Sequence, residues 1–164
     1  MQLDSRTEII YSVWAVIAEQ GLPGVTMRVV AKQAGVSVGR VQHHFGTKEN
    51  LILESCRAMI NSANALYDGS LDHAITHVIP HDENTRHGAI IWNAYVAHAL
   101  VQPAIAELLA DAKRGQEDEV TRVLGDRSRA RSLIAMADGL VQRVLIGDLT
   151  PDEAMAVVRD ALES

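Results

Sequence analysis

At 164 residues the chain is long enough to bury a real hydrophobic core but short for two independent globular domains. Apolar residues make up 48% of it and aromatics only 4%, a makeup that suits packed helices, and no apolar run approaches the ~18 residues that a bilayer core demands. The net charge of −6 would argue against a nucleic-acid partner if it were spread evenly, but Gly21 to Lys48 holds Arg28, Lys32, Arg40 and Lys48 with no Asp or Glu, while from Ala58 onward nine Lys and Arg face sixteen Asp and Glu. A locally basic segment on an acidic body can dock on DNA, because phosphate attraction acts within roughly one Debye length, ~8–10 Å.

Apolar residues recur every three or four positions and strict alternation is absent, so the pattern predicts an all-α chain. The first helix runs from about Ser5 to Gln20 on a stripe of Ile10, Val13, Trp14 and Ile17, stopped by Gly21. Thr26 caps a short second helix, Ser37 caps a third that reaches Phe45, and Thr47-Lys48 opens a fourth through Leu66 with Ile52, Cys56, Met59, Ile60, Ala63 and Leu66 inward. A short helix around Leu71–Val78 stops near Pro80. From Asp82 to about Val101 bulky or apolar groups fall on more than one face, which predicts a helix buried on several sides or lining a cavity. Pro103 begins a helix with Ile105, Leu108, Leu109 and Ala112 on one stripe, and its charged stretch Lys113–Glu119 is expected in solvent. Leu133 to Leu145 carries the clearest stripe, and Thr150-Pro151-Asp152-Glu153 is a capping box with proline at the first helical position of the last helix.

Between Thr26 and Val41 the order of residues fits a helix-turn-helix. Ala31 is small enough for two helices to cross closely, Gly35 can take the positive φ of the tight turn, and Val36 plugs the space between them. Ser37 caps the second of the pair, whose leading residues enter the major groove in this motif. Val29, Val30, Ala34, Val36, Val41 and Phe45 are expected in the core.

Val36-Ser37-Val38-Gly39, then His44-Phe45, Lys48-Glu49 and Leu51, resemble the DNA-binding domain of TetR-family regulators from about Thr7 to Leu53. Asp138-Gly139-Leu140 and Gly147-Asp148-Leu149-Thr150-Pro151 are similar to its BetI-like branch. The resemblance implies a three-helix DNA-binding domain over residues 1–47 and a helical effector-binding and dimerisation domain over 48–164. It implies phosphate contacts from Thr26 and Lys48, with His44 in support, and a groove-facing set of Arg28, Ser37, Val38, Gly39, Arg40, Gln42 and His43. Arg40 can reach guanine O6/N7 and Gln42 adenine N6/N7, and Gly39 lets the backbone come close. Gln42 stands where the family usually has a phosphate-contacting tyrosine.

Met59, Trp92, Tyr95, His98 and Met136 are candidates for lining an effector pocket, since aromatic and methionine side chains make adaptable apolar walls. The expected partners are double-stranded operator DNA, a small-molecule effector and a second copy of the chain docked through the last two helices. Ligand binding would then release a homodimeric repressor from a palindromic operator. A rival is a ligand-binding helical dimer with a vestigial head, which would show no salt-dependent DNA affinity. His73, His77 and His81 are spaced four apart, but Pro80 interrupts the helix, so no metal is expected. No cofactor fingerprint or catalytic motif is present, so an enzyme is not expected. Cys56, the single cysteine, reads as a small buried residue, and the N-terminus lacks the pattern of a signal peptide, so a cytoplasmic location is expected.

Overall fold

The computed structural model describes residues 4–163. Their elements are α1 (Ser5–Gln20), a 3-10 turn (Leu22–Gly24), α2 (Met27–Gln33), α3 (Val38–Phe45), α4 (Lys48–Leu66), α5 (Leu71–Thr76), α6 (Glu83–Ala99), α7 (Pro103–Leu124), α8 (Arg127–Leu145) and α9 (Pro151–Glu163). Side-chain caps explain where most of them begin. Asp4, Thr26, Ser37, Ser70 and Asp126 each accept a hydrogen bond from a first-turn backbone N–H, and Thr47 and Asp82 do the same for α4 and α6. At α9 the capping box is reciprocal: Thr150 Oγ1 accepts from the Glu153 N–H at 3.2 Å while Glu153 accepts from the Thr150 N–H at 2.8 Å. Such caps contribute about 1 kcal/mol each. α7 instead starts on Pro103, whose missing N–H would have had no partner in a first turn.

The chain forms two compact units, one running to Ala65 and including Ile91–Leu108, the other made of Leu66–Ile90 and Leu109 onward. In the first, Ile9, Ile10, Val13, Val16 and Ile17 of α1 meet Val30, Ala31, Val41 and Phe45 of the two short helices and Leu51, Ile52 and Cys56 of α4 in the buried core. Val29, Ala34 and Val36, expected inside, are half-buried. Tyr95 of α6 is completely buried in the same unit.

The expected inward face of α4 holds for Ile52 and Cys56, but Ala63 is exposed and Leu66 is 74% exposed. Periodicity identifies a common face but does not say how far the neighbours run alongside it. α6 is covered on more than one side: Ala89 and Ile91, nearly opposite one another around the helix, are both buried with Tyr95, and Trp92, Asn93 and Ala94 are half-buried, while Val96 is exposed.

In the second unit Leu133, Ile134, Ala137, Leu140, Val141 and Val144 of α8 join Ala74, Ile75, Ile79, Val120, Ala154 and Val158 in one cluster. Polar ties finish it. Gln116 Nε2 donates to the Ala74 carbonyl at 2.8 Å, and Arg129 donates to the carbonyls of Ala161 and Leu162, satisfying the end of α9. The apolar stripe of α8, one of the last two helices expected to dock a second copy, is thus consumed by the protomer's own core, so a partner docking on α8 would meet the opposite face. That face is Ser128, Ser132, Ala135, Gly139, Gln142 and Ile146, all exposed. No described helix is long and apolar enough to cross a membrane.

Candidate nucleic-acid interface

The geometry of the basic segment follows from three local features. Thr26 Oγ1 accepts the Val29 N–H at 3.1 Å and starts α2; Gly35, at φ +65°, turns the chain; Ser37 Oγ accepts the Arg40 N–H at 3.2 Å and starts α3. The positive φ is one that residues with a Cβ rarely adopt, and the Val36 N–H closes the turn on the Ala31 carbonyl at 3.0 Å. With Val41 and Phe45 buried on one side of α3, the residues between them are forced outward.

Thr26, Arg28, Ser37, Val38, Gly39, Arg40, Gln42, His43 and His44 are all exposed, and Lys48 is half-buried at the start of α4. Capping uses the Thr26 and Ser37 oxygens as acceptors, so each hydroxyl proton can still be donated outward. Val38 is an apolar side chain 41% exposed on a reading helix, suited to contact with a thymine methyl. Gly39 has an ordinary negative φ, and a Cβ there would meet nothing in the protein closer than Ser37 Oγ at 3.9 Å. The fold does not need glycine at 39. A glycine there leaves room for another molecule to come close.

Charge completes the arrangement. Among the described residues Arg28, Lys32, Arg40 and Lys48 form no salt bridge with a carboxylate, as expected for a stretch that contains none. The stacked imidazoles of His73 and His77, centroids 5.5 Å apart, belong to the other unit. There His81 lies beyond the end of α5 with its ring on the Ile79 carbonyl.

The five proposed effector residues are divided between the units: Met59, Trp92, Tyr95 and His98 in the first, Met136 in the second against the α8 core. Met59 and Trp92 are half-buried. His98 lines a groove of about 230 Å³ with Thr47, Glu49, Ile52 and Ile105. Tyr95 presents no polar edge, because its hydroxyl is committed. Ser55 Oγ gives its own proton to the Ile52 carbonyl at 2.8 Å, so the Tyr95 hydroxyl must be the donor in the 2.7 Å bond to Ser55. Burial raises the Tyr95 hydroxyl well above the ordinary phenol range. The neighbouring Cys56 thiol, also fully buried, is pushed up to about 12, which makes it a poor nucleophile.

Sequence reasoning passed over Ser55, a polar residue inside an apolar helix face whose role only the Tyr95 and Trp14 partners reveal: Trp14 Nε1 donates to the Ser55 carbonyl at 3.1 Å. It also passed over Arg6, whose guanidinium sits 5.4 Å from the Phe45 ring centroid.

Comparisons with known proteins agree along the chain. Residues 9–55 match the model for bacterial regulatory proteins of the TetR family, and residues 68–164 match that for the C-terminal part of BetI-type transcriptional repressors. A relative, the HTH-type transcriptional regulator BetI 2 of Chromohalobacter salexigens, is 30% identical over 90% of this chain and 79% of its own length. The crystal structure of a transcriptional regulator from Rhodococcus sp. Rha1 superposes with a TM-score of 0.89 at 27% identity, covering 97% of this chain and 94% of that one. A regulator from Saccharomonospora viridis, solved in complex with choline, superposes at 0.83 with 22% identity, covering 99% and 97%. With the outward reading helix and both halves of the chain matched, the protein belongs to the TetR family of DNA-binding transcriptional regulators, in its BetI-type branch, and is not an enzyme.

Proposed function

We propose that the chain acts in the cytoplasm as a homodimeric repressor that binds a palindromic operator and leaves it when a small molecule binds. Residues 1–47 form the reading head and 48–164 bind the effector and the partner. The observation that carries this reading is the exposed, carboxylate-free face from Thr26 to Lys48, with α3 presenting its capped end outward. Lys48 and Thr26 hold phosphates, while Arg40 and Gln42 read bases.

The two-fold contact uses the outer face of α8, where Ser132, Ala135 and Gly139 form an uncharged, shallow strip, together with Ala156 and Val157 of α9. Arg131 and Arg143 continue the same i, i+4 row at either end of the strip, a charged rim around an uncharged centre that suits close helix packing. Ala135→Arg, at an exposed site, is expected to leave the protomer folded and to shift sedimentation at micromolar concentration from dimer to monomer. A variant that remains dimeric would reject this interface.

The effector is an organic cation held within the first unit by Trp92 and His98 with Met59, and Tyr95 stiffens the wall from behind through Ser55. The choline in the Saccharomonospora viridis structure supports the ligand class, and the half-buried Trp92 can offer a π face to a cation. Release requires higher effector affinity in the DNA-incompetent state than in the bound one. The test is a gel shift on DNA flanking the protein's own gene at low ionic strength, titrated with choline and with its neutral carbon isostere. Retardation relieved by choline alone is expected; a sample that retards no fragment would refute the reading, and relief by both compounds would refute the cationic effector.

A further inference from the structure

Arg6 lies in the first turn of α1, outside the exposed basic segment, yet the residue is held at three points, two of them on its side chain. Its backbone N–H donates to the N-cap carboxylate of Asp4 at 2.9 Å, its guanidinium lies 5.4 Å from the centroid of the Phe45 ring, and its Nη2 is 2.6 Å from a carboxylate oxygen of Glu54 on α4. Glu54 is held in turn by Arg57 at 3.5 Å. Phe45, only 2% exposed, is the last residue of α3. The same end of that helix is fixed by Asn50 Nδ2, which donates to the Phe45 carbonyl at 2.8 Å.

The pinned end of α3 is therefore the trailing one. The leading end, Ser37 to Arg40, stands exposed. Eight residues of helix span about 12 Å, so a tilt of about 5° about Phe45 displaces the leading residues by about 1 Å. That is comparable with the whole tolerance of a base-edge hydrogen bond, whereas a lysine on a flexible stem follows a phosphate through such a shift. The Arg6 charge is matched by Glu54, so little of it is left for DNA.

We infer that Arg6 is a positioning residue for sequence reading: the Asp4–Arg6–Glu54 tie holds a flat cation on the Phe45 ring and so sets the tilt at which α3 enters the groove. It acts through Phe45 and touches no base. This rests on the DNA-reading role of α3 and adds a determinant outside it.

The test compares affinities for a duplex selected in vitro from a randomised pool by the wild-type protein and for the same duplex with its selected positions scrambled. Arg6→Ala is expected to lower the specific-to-scrambled ratio about tenfold, the effect of roughly one mismatched base pair, with an unchanged salt slope. Arg6→Lys keeps a partner for Glu54 but lacks the planar face, and is expected to fall with Arg6→Ala. Glu54→Gln frees the guanidinium, so it should raise affinity for the scrambled duplex, steepen the salt slope and lower the ratio. A loss of global stability alone would not change the ratio measured on folded protein. A wild-type ratio in Arg6→Ala or, should that variant fold poorly, in Glu54→Gln overturns the inference. So does an equal loss on both duplexes with a slope shallower by about one per head, which is the mark of a phosphate contact. A wild-type protein that enriches no sequence would overturn the DNA-reading role of α3 itself, and this inference with it.

Discussion

The cations between Gly21 and Lys48 and those beyond Leu109 are the same residue types in opposite situations. In the head, Arg28, Lys32, Arg40 and Lys48 have no carboxylate partner among the described residues. In the body, Lys113 pairs with Asp138, Arg122 with Glu119, Arg127 with Glu117 and Asp118, Arg131 with Glu117, and Arg114 and Arg143 with Asp111 and Asp148. Part of the contrast is local, since α7 supplies an acid three residues before Arg114 and before Arg122, the spacing that puts two side chains on one helix face. A protein with net charge −6 can therefore offer DNA a positive surface: most of the body's cations are paired with the body's own carboxylates, and those of the head are not.

The largest test of that contrast is salt. If Arg28, Lys32 and Lys48 of each copy, the head cations not assigned to a base, supply the phosphate contacts of a dimer, DNA affinity should fall about 10³-fold between 50 and 200 mM salt, as for ~6 phosphates. Fluorescence anisotropy over a salt series measures the slope, and a flat slope would remove the electrostatic reading. Next come single head residues. Arg40→Ala should cost about 1–3 kcal/mol, concentrated at one operator position, whereas Lys48→Ala should weaken binding to every sequence alike; binding to a panel of single-base operator variants separates the two.

Gly39→Ala sharpens the comparison at smaller scale. With no clash inside the protein and no positive φ at stake, alanine should stabilise the fold by up to about 1 kcal/mol while weakening DNA binding. A thermal melt and a binding isotherm with opposite signs are the expected pair; unchanged binding would show that the helix does not come close to DNA there. The smallest effects belong to the body. Arg131→Ala should leave operator affinity unchanged and barely move the melting temperature, because the Arg131 side chain is exposed and Glu117 keeps Arg127 as a partner. Its visible trace should be in acid. The hydrogen bond from Arg131 comes first in holding the Glu117 carboxyl below its ordinary value, followed by that from Arg127. The stability it supplies is thus present above the unfolded carboxylate range and is lost as pH falls through the lowered folded value. Removing Arg131 should shrink that contribution and raise the pH at which its loss is complete, as followed by circular dichroism.

Much of the fold was legible because caps and stops are local chemistry. Thr26, Ser37, Gly35, Pro103 and the Thr150–Glu153 box act within one helical turn of themselves, and the helices begin where those residues say. The exposed reading face was legible for the same reason: once Val41 and Phe45 are inward, Arg40, Gln42 and His43 have only the outside left. The outer reaches of the stripes were not legible. Ala63 and Leu66 share a face with Ile52 and Cys56, and only the extent of neighbouring helices decides that they end in solvent. Tyr95 is similar, since an aromatic residue that can orient a ligand and one sealed against Ser55 look identical in one dimension.

The amino-acid order by itself determined helix limits, the sign of charge along the chain and the turn that throws α3 outward, since each depends on residues within a few positions of one another. Tertiary structure alone decided that the α8 stripe goes to the protomer's own core, that Ser55 accepts the hydrogen bond of the Tyr95 hydroxyl, and that Arg6 closes over Phe45 beside Glu54, 48 residues away. Those outcomes depend on which of several chemically suitable partners folding brings within about 3–6 Å, the range over which hydrogen bonds and cation–ring attraction act, and spacing along a chain does not encode that choice.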